Sequence, residues 1–81
     1  MASVAREVLD RDFLEIRARL IDIAAALDRI DRAEGAERVR NDGRLVQIRE
    51  SLRILASEDG RRAERVLMVF SDPYEPNWRQ P

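Results

Sequence analysis

From Leu9 onward the apolar residues Leu9, Phe13, Ile16, Leu20, Ile23, Leu27 and Ile30 recur at intervals of 4, 3, 4, 3, 4 and 3. An α-helix turns once in about 3.6 residues, so this alternation lines one face with apolar side chains over some three heptads. No proline or glycine interrupts the stretch. Gly35 stands where a helix would end in the left-handed conformation that glycine adopts without steric cost. Acids placed four residues ahead of arginines (Glu7 with Arg11, Glu15 with Arg19, Asp28 with Arg32) add exposed pairs that favour helix. The spacing predicts a helix over residues 3–33, about 45 Å long, built to lie lengthwise against another helix.

The same segment carries a second seam. Leu14, Ala18, Ile21 and Ala25 follow at 4, 3 and 4, and at about 100° per residue they fall nearly opposite the first set. A helix apolar on two sides is not satisfied by one neighbour. The small side chains of Ala18 and Ala25, with Ala24 and Ala26 beside them, would let another backbone come close. Two readings stay open. Helices of the same chain cover both faces, with alanine serving simply as a helix former, or the second seam binds another protein molecule. The rest of the chain supplies few helices.

After Gly35, residues 36–41 hold one apolar side chain, Val39, and read as a connection. Asp42 is placed as an N-cap. Leu45, Ile48, Leu52 and Leu55 then repeat at 3, 4 and 3, flanked by Val46 and Ile54, which predicts a helix over 42–56. Ser57 reads as the next N-cap, with Glu58 and Asp59 in a first turn where the helix dipole favours acids. A third helix over 58–70 would bury Ala63, Val66, Leu67 and Phe70. The run Val66 to Phe70 alone also fits a short buried strand; the helix-forming Arg61 to Arg65 ahead of it decide for helix.

Pro73 closes the regular structure. The tail 71–81 holds three prolines together with Tyr74 and Trp78, and proline fixes an extended course. The two aromatics either fold back onto the helices, the favoured reading because a buried aromatic contributes much apolar area, or face a partner as a short motif. The expected fold is all-α: a small three-helix bundle, one domain over 1–81, with a long first helix and an extended Pro/aromatic C-terminal tail. Short loops make neighbouring helices antiparallel.

Composition narrows the function. A chain of 81 residues buries only about 60% of its unfolded surface. Small domains add disulfides, a metal or self-association to compensate. Without cysteine or histidine the first is excluded and the second disfavoured, which leaves self-association. The charge is dense but balanced, with 15 arginines, no lysine and 16 acids for a net −1. Arginine to the exclusion of lysine is read as a mark of GC-rich coding, with selection for bidentate anion binding as the alternative. The longest apolar runs, Ile23 to Leu27 and Val66 to Phe70, are five residues each, far short of the roughly 20 that span a bilayer. No basic leader precedes an apolar core at the N-terminus, so no signal peptide, no membrane contact and a cytoplasmic location are expected.

Three constellations could carry chemistry. Asp28 with Asp31 and Glu34 with Glu37 have the i,i+3 spacing of helical magnesium sites, but such sites need an acidic pair on a facing helix. The second helix offers only Glu50, and Arg29, Arg32 and Arg38 interleave with the acids, so solvated ion pairs are the reading. The arginines at 49, 53, 61, 62 and 65 give residues 37–65 a mild excess of 8 bases over 6 acids. With a sequence pI of about 5.5, this is not the dense basic face of a nucleic-acid binder. Ser3, Ser51, Ser57 and Ser71 have neither histidine nor lysine to activate them, and Gly35, Gly43 and Gly60 are too scattered for a phosphate loop. Expected, then, is a protein that is not an enzyme and takes no cofactor, metal or nucleic acid. It would be a protein–protein interaction module, a homodimer formed through helix 1. Leu14, Ala18, Ile21, Ala25, Tyr74 and Trp78 are the candidate contact residues. The alternative is a small regulatory protein that sets the second seam or the tail on a larger partner.

Overall fold

The computed structural model describes residues 4–71. The protein is all-helical: α1 spans Ala5–Arg32, a 3-10 turn follows at Ala36–Arg38, α2 spans Gly43–Ala56 and α3 spans Arg62–Ser71. No strand occurs among the described residues, so the apolar run Val66 to Phe70 is helical as its upstream residues required. The chain divides into two compact units, Met1–Ala36 and Glu37–Pro81. Ser71, expected to open the tail, is instead the last residue of α3, and Tyr74, Trp78 and the rest of the expected tail lie outside the described residues.

The first unit is essentially α1. Its 28 residues run unbroken, as a stretch free of glycine and proline should. Glu7 in the first turn and Arg29 and Arg32 in the last complement the helix dipole. At the C-terminal end Ala33 turns extended and its N–H donates to the Ile30 carbonyl. Gly35 takes the left-handed conformation at φ 83°, in the turn just past the cap. Of the three expected i,i+4 pairs only Arg19 with Glu15 forms among the described residues, at 3.3 Å. Arg11 turns instead to the adjacent Asp12, at 2.9 Å.

The second unit is a helical hairpin. Asp42 caps α2 as expected, its Oδ1 accepting from the Arg44 backbone N–H at 2.8 Å. Gln47 near the start of α2 donates through Nε2 to the Val69 carbonyl near the end of α3, at 3.2 Å, so the two helices run antiparallel. The turn between them differs from expectation. Ser57 does not open α3; it closes α2, with its backbone N–H and its Oγ both donating to the Ile54 carbonyl. Asp59 starts the next helix, accepting from the Arg61 N–H at 2.8 Å, and α3 begins at Arg62 rather than at 58. A hydroxyl beside a free C-terminal carbonyl serves that carbonyl, and a helix that included Gly60 in its first turns would lose about 1 kcal/mol.

The packed faces differ too. The buried residues of α2 are Gly43, Ser51 and Ile54, which share a side with Gln47. Leu45, Ile48 and Leu52 stay half-buried and Leu55 exposed. Two of the three buried residues are small, so a neighbouring backbone can approach, and Ser51 brings no unsatisfied hydroxyl because its Oγ donates to the Gln47 carbonyl at 2.9 Å. On α3 the half-buried residues are Arg62, Val66 and Val69, whereas Ala63, Leu67 and Phe70, expected inside, are exposed. Arg62 donates from Nε to the Ser57 carbonyl at 2.6 Å, which turns its side of the helix inward.

Candidate interaction surface

The described residues contain a single buried apolar side chain, Ile54 at 4% exposure. The apolar residues that sequence spacing assigns to packing are instead on the surface. On the second seam Leu14 is 71% exposed, Ile21 is also exposed, Ala18 is exposed and Ala25 is half-buried. The helix does bring these four onto one side, as the 4, 3, 4 spacing requires. On the first seam Leu9 is 57% and Phe13 50% exposed, with Ile16, Leu20 and Ile23 exposed as well and Leu27 and Ile30 half-buried. Both faces of α1 therefore present apolar side chains, and α1 buries no residue. The expectation singled out the second seam; the first offers more apolar area because its residues are larger.

Charged residues separate the two seams. Asp12 accepts from Arg11 Nε and Nη2, at 2.9 and 3.4 Å. These bonds, more than the charge itself, hold the Asp12 carboxyl below its usual range and the Arg11 guanidinium above its own. Arg44 is raised in the same way by its bonds to Asp42. A shallow depression of about 290 Å³ is lined by Asp12, Glu15, Ile16 and Arg19. All four lie on one helix, and one helix side cannot surround a small molecule.

The other candidates dissolve into local structure. Arg53 pairs with Glu50, Arg61 with Glu64 and Arg65 with Asp59, while Arg49 donates to the Arg40 carbonyl and Arg62 to that of Ser57. The arginines of residues 49–65 thus hold the hairpin's own acids and carbonyls. Among the described residues no three acidic side chains come close enough to hold a metal ion together. No helix there is long and apolar enough to cross a membrane. Comparison with known proteins finds no match, whether by family, by curated sequence or by solved structure.

Proposed function

We propose that this chain is a non-enzymatic protein–protein interaction module that self-associates through α1, the smallest such assembly being a homodimer. One observation carries the reading: a 28-residue helix buries none of its residues while Leu9, Phe13, Leu14, Ile16, Leu20 and Ile21 stand exposed on it. Burying one large apolar side chain is worth about 1.5–3 kcal/mol, so covering even part of either seam outweighs the ordering of a few surface residues. The absence of histidine and cysteine from the sequence removes the usual acid–base and thiol chemistry and supports a binding role. Light scattering behind size exclusion tests the proposal on the full chain. A mass of two or more chains at micromolar concentration supports it. A single-chain mass up to millimolar concentration overturns it.

A further inference from the structure

We infer that α1 assembles through its first seam as a parallel, in-register coiled coil of three or four copies of this chain, not two. The inference rests on the self-association proposed above and adds the seam, the orientation and the number of chains. The 4, 3 spacing fixes a heptad register. Phe13, Leu20 and Leu27 take the a positions, and Leu9, Ile16, Ile23 and Ile30 take d. Neither α2, with 14 residues, nor α3, with 10, is long enough to follow this seam from Leu9 to Ile30. A second α1 matches it from end to end.

Flanking charges choose the orientation. Asp12 and Arg19 are at g, Asp10, Arg17 and Asp31 at e, with Ala24 and Ala26 filling the remaining inner flanks. In a parallel pair each g residue lies beside the e residue five positions later on its neighbour. Asp12 then meets Arg17, Arg19 meets Ala24 and Ala26 meets Asp31, so the only charged pair is attractive. Arg17 has no ion-pair partner within its own chain among the described residues. Asp12 is bonded to Arg11, but a carboxylate has lone pairs for a second arginine. Antiparallel arrangements fare worse. The register that sets Phe13, Leu20 and Leu27 over Ile23, Ile16 and Leu9 places Arg17 beside Arg17 and Arg19 beside Arg19. Sliding by one heptad in one direction places Asp10 beside Asp31; sliding in the other sets Asp10 beside Arg17 and Asp12 beside Arg19 but covers only Leu9 to Leu20 and leaves Ile23, Leu27 and Ile30 bare. The antiparallel registers thus either set like charges together or cover half the seam, whereas the parallel register covers all of it without a repulsive pair.

The side chains at a and d choose the number. Two-stranded parallel coils favour β-branched residues at a and leucine at d. This seam has the reverse, with leucine or phenylalanine at a and isoleucine at three of the four d positions. In a two-stranded coil the d side chain points straight at the partner helix, where a stiff β-branched chain cannot take its preferred rotamer. Leucine at a with isoleucine at d suits higher-order coils, and the alanines at 24 and 26 let the flanks of neighbouring helices close in.

Three measurements on the full chain test this. Sedimentation equilibrium should give three or four times the chain mass; Leu20→Glu should abolish the assembly, whereas Ala18→Glu on the opposite seam should leave it intact. A spin label on Ala5→Cys, the chain's sole cysteine, should report separations within roughly two helix diameters. An antiparallel pair would instead set the labels roughly 40 Å apart. Arg17→Asp should weaken assembly by roughly tenfold, and adding Asp12→Arg should restore it by exchanging the two charges. A single-chain mass overturns the self-association reading itself. A two-chain mass, separations near 40 Å, loss of assembly in Ala18→Glu or failure of the charge exchange each overturns the higher-order parallel arrangement and leaves self-association standing.

Discussion

At the scale of single residues, short-range hydrogen bonds decide where helices begin and end. Asp42 is the clearest case: it stands in extended backbone, and its carboxylate takes the Arg44 N–H that the first turn of α2 leaves unsatisfied. Asp42→Ala should lower stability by about 1 kcal/mol, a fall of several degrees in the midpoint followed by circular dichroism. Asp12 provides a second test, with the sign set by its neighbour. Its carboxyl is held below the usual aspartate range by hydrogen bonds from the Arg11 guanidinium. A carboxyl whose folded pKa lies below its unfolded value stabilises the fold above the ordinary aspartate range, and that contribution disappears as the pH falls through the lowered value. An NMR titration of the Asp12 side-chain carbon should show a midpoint below that of an aspartate in an unstructured peptide. Arg11→Ala should move it back up.

Whole elements show what periodicity conveys and what it does not. α1 and α2 were legible because their apolar residues repeat at 3 and 4 without a breaker, and Asp42 marks a start that its side chain does make. The beginning of α3 was not, since a serine between two helices can serve either one, and only the geometry at Ile54 assigns Ser57 to the end of α2. The inner face of α2 was hidden for a different reason. Gly43, Gln47 and Ser51 look polar or featureless in sequence, yet the small volume of Gly43 and Ser51 leaves room for α3, Ser51 satisfies its hydroxyl within α2, and Gln47 bonds across to Val69. Both apolar seams of α1 could be read in advance, because spacing says that a face needs cover. It does not say which molecule supplies the cover, and so the candidate contact residues were drawn from the second seam although the first is larger. The hairpin itself is open to test through Ile54, its one buried apolar side chain. Ile54→Ala should cost about 2 kcal/mol or more and remove the hairpin's amide-exchange protection. If α1 is held by its own seam, its protection should survive the same change. Equal loss in both units would show that they unfold together.

For the molecule as a whole, the question is how so little buried apolar surface supports a folded chain. With Ile54 alone buried among the described apolar side chains, the hairpin's polar contacts do much of the positioning, and exposed ion pairs add little, typically under about 1 kcal/mol each. On the self-association proposed above, the largest reserve of stabilisation is the surface of α1, realised when another copy covers it. The proposal then predicts that stability depends on chain concentration, because association favours the folded state by mass action. For a folded assembly in equilibrium with unfolded single chains, each tenfold rise in concentration should add roughly 1 kcal/mol per chain. A domain of this size gains about 4–8 °C in midpoint for each kcal/mol, so thermal scans spaced by factors of ten should separate by several degrees. Leu20→Glu places a charge at the centre of the first seam and should both lower the midpoint and flatten its dependence on concentration. A midpoint that stays fixed from micromolar to millimolar in the unaltered chain would mean that α1 draws its stability from within a single molecule, and the seams would then have no part in assembly.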